Sequence, residues 1–212
     1  MLTLEDISEV DRIVAIDVEA TGHRVLTPAE IGKLPKGMRP PGVIIQIGCV
    51  ELLRDGAAWC TGATWETLLN PEAPILPAAI RVHGIRPAAL KGAPRFDTIR
   101  SAFENFVGTA ILLAHGALNE IDYLNYETRR CKHVSWDESP YTDARFLDTQ
   151  KLVRDFLPDC PGSLDAICDR LWIDRSDRFQ RHGAMLDAEL TADVFVKLTS
   201  GFIRDDVRSL SF

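Results

Sequence analysis

A chain of 212 residues, 46% hydrophobic and 26% charged, has the make-up of a folded domain with one sizeable core. Its formal charge of −7, from 24 basic and 31 acidic residues, argues against a protein that coats duplex nucleic acid, since a basic surface drives that binding. No apolar run reaches the roughly eighteen residues of a membrane span, and the start MLTLEDISEVDR lacks the basic-then-apolar order of a secretion signal. A cytoplasmic protein with no membrane partner is therefore expected. The five cysteines, odd in number and without a C-x-x-C pair, predict buried free thiols rather than disulfides or a zinc site.

In chain order, RIVAIDVE (12–19) reads as a buried strand ending in two acids. Residues 43–53 and 58–69 follow as strands joined by a turn at Arg54-Asp55-Gly56, so an antiparallel meander opens the sheet. Between the first two strands, residues 23–42 hold four prolines and three glycines and predict a long loop. That loop carries Arg24, Lys33, Lys36 and Arg39 against the single acid Glu30. A solvated insertion and a contact to a nucleic-acid backbone are both open readings of it.

Apolar spacing of three and four then predicts helices at 77–83 and 94–106. AILLA (110–114) is a short strand before a helix near 118–130, and ARFLD (144–148) is a last strand running into a helix that ends near Leu157. Pro158 and Pro161-Gly162 stop that helix, and Ser163 is the N-cap of the next, through Leu171. A final helix covers 184–199. Strands first, then alternating strands and helices, predict a single α/β domain with a core over about 12–200, its one mixed sheet packed by helices.

Three short segments carry candidate chemistry. Asp17 and Glu19 are two apart on a strand and project from one face; burying both is costly without a cation or partner. In RHGAMLDAEL (181–190), His182 and Asp187 are five apart, about 140° round a helix. They converge only if His182 sits in a loop before the helix and Asp187 in its first turns, a bend that Gly183 eases. In AHGALNEIDYL (114–124), His115 again precedes an acid, Glu120, by five. Each segment alone has an ordinary reading: an acid paired with arginine, a loop histidine, a solvated helix acid. Together, in this order and each at a strand end or helix start, they form a pattern.

That pattern resembles the Exo I, Exo II and Exo III motifs of the DnaQ-like (DEDDh) 3′–5′ exonucleases. The likeness extends to V-H-G-I at 82–85 and S-L-D-A-I-C at 163–168, and covers nearly the whole chain. It implies a ribonuclease-H-like fold with a mixed five-stranded sheet. It further implies two divalent cations, Mg²⁺ or Mn²⁺, on Asp17, Glu19 and Asp187 with Glu120 in the fourth acidic position. His182, with an imidazole pKa ordinarily about 6.5, would be the general base. Ala20, Thr21, Gly22, His83 and His115 would meet the substrate, the 3′ end of a single strand. An acidic total suits such an enzyme, because cations supply the local positive charge.

The chain departs from the family at Exo II, where Glu120 stands for the usual Asp, Gly116 for Asn, and Asn119 for an aromatic residue. Asp122 lies on the opposite side of the helix, about 200° away, and cannot take over. The altered Exo II segment motivates the alternative of a nuclease-derived binding module that has lost catalysis; an exonuclease acting on short RNA is a second alternative, because no residue decides the sugar. The sequence stops soon after Exo III, so a polymerase partner is possible but not indicated.

Overall fold

The computed structural model describes residues 1–22, 25, 42–131, 140–179 and 182–200. Strands β1 (Arg12–Ala20), β2 (Ile44–Asp55) and β3 (Ala58–Leu68) run antiparallel as a meander. On the other side of β1, β4 (Ile111–Ala114) and β5 (Phe146–Asp148) add in parallel, giving the order β3-β2-β1-β4-β5. The helices are α1 (Pro77–His83), α2 (Phe96–Val107), α3 (Leu118–Arg130), α4 (Thr149–Phe156), α5 (Leu164–Arg170) and α6 (Ala184–Thr199).

The continuous apolar run of β1 is what a central strand requires, because both of its faces are covered. Ile13 and Ala15 join Val50, Leu52, Leu113, Leu147 and Phe195 in one core, on the face that α6 covers. Val14 and Ile16 join Ile47, Cys49, Leu112, Phe103 and Leu124 in a second core, which includes residues of α2 and α3. By the same alternation Asp17 and Glu19 fall on the α6 face. The site acids therefore continue a core stripe rather than a surface one.

The sequence did not indicate four short 3₁₀ turns, at Glu5–Ile7, Pro87–Leu90, Asp143–Arg145 and Ser176–Phe179. The third of these shortens the last strand, expected from residue 144, to Phe146–Asp148. All five cysteines are unpaired, but the expectation of burial fails at Cys60, which lies exposed on the edge strand β3, and at Cys160, which is half-buried. Side chains alternate between the two faces of a strand, so Cys60 points away from the core that its neighbour Trp59 enters. Of the proline-rich loop only Val25 and Gly42 are described; Arg24, Glu30, Lys33, Lys36 and Arg39 lie outside the described residues. Among the described residues no helix is long and apolar enough to cross a membrane.

Candidate active site

The three motifs meet at the carboxyl ends of the parallel strands β1, β4 and β5, the end at which open α/β sheets bind ligands. His182 lies outside any helix or strand, Gly183 is extended, and Asp187 lies in the first turn of α6, its amide donating to the Gly183 carbonyl at 2.9 Å. One carboxylate oxygen each from Asp17, Glu19 and Asp187 fall within 4.8 Å of one another. Such closeness depends on Gly48, the cross-strand partner of Asp17. A Cβ there would lie 2.4 Å from the Ala184 carbonyl carbon, so any side chain would push the start of α6 off the sheet.

Glu120, on α3, comes from the other layer and is 5% exposed. Its Oε2 is buried without a hydrogen-bond partner among the described residues. Asp122, two residues on, is exposed, as the helical geometry required. Burial pushes the Glu120 carboxyl up to about 8, with the charges of Asp148 and Glu19 adding to it. Burial likewise raises Glu19 to about 7, helped by Asp187. Asp17 is held well above the ordinary carboxylate range, first by burial and then by Glu120, Asp187 and Glu19. An all-oxygen cluster of mutually repelling acids, with one buried oxygen unpartnered, fits a hard divalent cation.

One acid has a counter-charge within the chain. Arg178 grips Asp187 in a fork, Nε to Oδ1 at 2.7 Å and Nη2 to Oδ2 at 2.9 Å, while its Nη1 donates to Asp165. His182 faces the same carboxylate, Nδ1 to Oδ2 at 3.6 Å, and its amide donates to the Val82 carbonyl at 3.4 Å. A cavity of about 410 Å³ brings together Asp17, Glu19, Glu120, Asp187, His83 and His182.

The expected substrate contacts separate into two groups. Ala20 and Gly22 line this cavity, and Gly22 has φ +83° where a Cβ would meet that of Ala79 at 2.6 Å, so only glycine lets α1 close over the end of β1. His83 lines it too; its Nδ1 accepts from the Ile85 amide at 3.0 Å, while its Nε2 is buried. Burial lowers the His83 pKa, against the backbone of Ala20, which raises it. Thr21 does not line it. Its amide donates to the Val43 carbonyl at 3.0 Å and its hydroxyl accepts from the Val43 amide at 3.2 Å, so it joins the two ends of the long loop instead. His115 lines the cavity, but both ring nitrogens are engaged, Nδ1 with the Thr149 hydroxyl at 2.9 Å and Nε2 with the Gly162 carbonyl at 3.0 Å. It ties the end of β4 to the loop before α5.

The exonuclease family of the RNase T type matches residues 14–195, nearly the whole of this framework. The chain belongs to the DnaQ-like (DEDDh) exonucleases. It is 34% identical over 197 residues to the DNA polymerase III subunit epsilon of Pasteurella multocida, covering 92% of this chain and 71% of that one. With the epsilon subunit of Escherichia coli the identity is 31% over 194 residues, 91% of this chain and 73% of that one. Among solved structures, the nuclease domain of 3′hExo bound to rAMP superposes with a TM-score of 0.66 at 18% identity, covering 90% of this chain and 92% of that one. Exonuclease X in complex with 5′ overhanging duplex DNA gives 0.58 at 21% identity, covering 92% and 98%. At such identities the two structures establish the shared fold.

Two further residues bond directly to the motif segments, Arg178 to Asp187 and Asp148 to Gly116, and neither stands among the sequence candidates. Arg178 stands four residues before His182; the need of buried acids for a partner was the only available clue to it. Asp148 ends β5, accepts from the Gly116 amide at 3.0 Å and the Gln150 amide at 2.9 Å, and so caps α4 while holding the Exo II turn. Its signature, an acid between an apolar strand and a helix, is legible as an N-cap but not as a site residue.

Proposed function

We propose that this exonuclease degrades single-stranded DNA from the 3′ end, releasing nucleoside monophosphates, with two Mg²⁺ or Mn²⁺ ions held by Asp17, Glu19, Asp187 and Glu120. The observation that carries the reading is the carboxylate triplet within 4.8 Å backed by the unpartnered Glu120 Oε2. Bound there, the cations would neutralise the acids and polarise the scissile phosphate. DNA is favoured because the curated relatives at 31–34% identity are DNA polymerase III epsilon subunits.

The chain's own residues divide the work. Asp17 and Glu19 present ligands from a rigid central strand, and Asp187 presents one from the first turn of a helix pinned to it. His182, with Nδ1 facing Asp187, has Nε2 available to take the proton of the attacking water. Ala20, Gly22 and His83 contact the terminal nucleotide. Thr21 and His115 hold the loops that shape its pocket. The alternative of a binding module without catalysis calls for Glu120 turned away from the acids, whereas its side chain lines their cavity.

Matched single-stranded DNA, duplex DNA and RNA oligomers, each with Mg²⁺, Mn²⁺ or chelator, test the reading. Stepwise shortening from the 3′ end, fastest on single-stranded DNA and silent in chelator, is the expected result. Full activity in chelator overturns the metal assignment, and faster loss of RNA overturns the substrate.

A further inference from the structure

The helix that carries Asp187 starts without a side-chain cap of its own, because its N-cap is Gly183. The first four amides of a helix need partners from outside it. That of Ala184 finds one on a strand 138 residues earlier in the chain: it donates to Gln46 Oε1 at 3.1 Å. The other end of the same amide is fixed as well, since Gln46 Nε2 donates to Glu66 Oε1 at 2.6 Å. Gln46 is therefore held in one orientation by a carboxylate on β3, with its carbonyl aimed at the helix.

Register connects this pair to the acids. Gln46 lies directly across from Glu19, and Gly48 directly across from Asp17. Residues two apart on a strand share a face, so β2 offers a socket of two parts beside the two acids. Gly48 admits the backbone at Ala184, and Gln46 bonds its amide. His182 lies just before this contact and Asp187 less than one turn after it.

We propose that Gln46, oriented by Glu66, is a positioning residue that sets the first turn of α6 and so the placement of Asp187 and His182 against Asp17 and Glu19. This rests on the metal-dependent reading of the site. The bond pattern predicts an exchange that simple packing does not. Gln46→Leu removes the acceptor for Ala184. Gln46→Glu keeps an acceptor but sets two carboxylates against each other. Gln46→Glu combined with Glu66→Gln restores donor, acceptor and charge with the roles reversed.

The test measures cleavage and, independently of cleavage, Mn²⁺ affinity by calorimetry and amide exchange of the 182–190 segment. Gln46→Leu and Gln46→Glu are expected to lower kcat at least tenfold with KM within about twofold, to weaken Mn²⁺ binding several-fold, and to speed exchange at the start of α6. The double variant is expected to recover to within about threefold of wild type on all three. A double variant no better than Gln46→Glu, or a Gln46→Leu protein with wild-type Mn²⁺ affinity and exchange, overturns the proposal. A wild-type protein that binds Mn²⁺ but cleaves none of the oligomers overturns the functional reading instead, and leaves the positioning role to be decided by binding and exchange.

Discussion

The two halves of the acid cluster are neutralised by different means. Asp187 has both oxygens on the Arg178 guanidinium, which also reaches Asp165. Asp17, Glu19 and Glu120 have no ion pair among the described residues, and burial raises all three. One half thus has a counter-charge from the chain itself, while the other has none among the described residues. The difference teaches that Asp187 is oriented before any metal arrives, whereas the β1 acids and Glu120 are held in place at an electrostatic cost.

The largest expected effect breaks both halves at once in activity while separating them in stability. Asp17→Ala and Asp187→Ala should each abolish hydrolysis, because each removes a cation ligand. In chelator, however, Asp187→Ala should destabilise the fold by about 3 kcal/mol, the lower end for a broken buried pair, since Arg178 keeps Asp165. Asp17→Ala should instead leave the metal-free protein as stable or more so, by relieving repulsion. Nuclease assays with thermal melts in chelator decide this, and equal destabilisation by the two would erase the distinction between the halves.

Next in size is His182, which faces the half with the counter-charge. His182→Ala should slow turnover roughly 10²–10⁴-fold, the usual contribution of a general base, with Mn²⁺ affinity little changed. A variant whose main defect is metal binding would make His182 part of the ligand set rather than the base.

Glu120 tests the other half more gently. Glu120→Ala should cut the rate at least about tenfold, roughly 1.4 kcal/mol of transition-state stabilisation. Glu120→Asp should remain active but shift the Mg²⁺-to-Mn²⁺ preference, because the shorter side chain withdraws the carboxylate and Mg²⁺ is stricter about geometry. Wild-type rates in Glu120→Ala would reduce the site to three acids.

How much of this was legible follows from the range over which each residue acts. The acids on β1, the helix carrying Glu120 and the loop-then-helix placement of His182 and Asp187 all follow from local periodicity and spacing, and the structure has them so. The strands and helices did too, to within about two residues. Gln46, Arg178 and Asp148 were not legible, because each acts on a partner brought near only by folding: Gln46 on an amide 138 residues away, Asp148 on one 32 away. Thr21 and His115 show the converse: they stand in motif segments, and their polar atoms are bonded to Val43, Thr149 and Gly162. Spacing shows which residues share a region, but not which of their atoms are already bonded.

The smallest effect reads the uncompensated half directly, through the pH dependence of stability without metal. Folding raises Glu19 to about 7 and Glu120 to about 8, whereas in the unfolded chain a glutamate titrates near 4.3. Between these limits the folded protein holds more protons than the unfolded one, so stability falls as pH rises from about 4.5 to 8. The melting temperature in chelator should therefore drop as the pH is raised across that window. Glu120→Gln should flatten part of the slope, since it removes one of the groups whose proton is held in the folded state. Saturating Mg²⁺ or Mn²⁺ should stabilise far more at pH 8 than at pH 5, because cations bind the ionised acids and must displace protons at the lower pH. A chelated protein whose melting temperature is flat from pH 5 to 8, or a metal-induced shift equal at both, would mean that the acids are not held against their charge and that the two halves of the site do not differ.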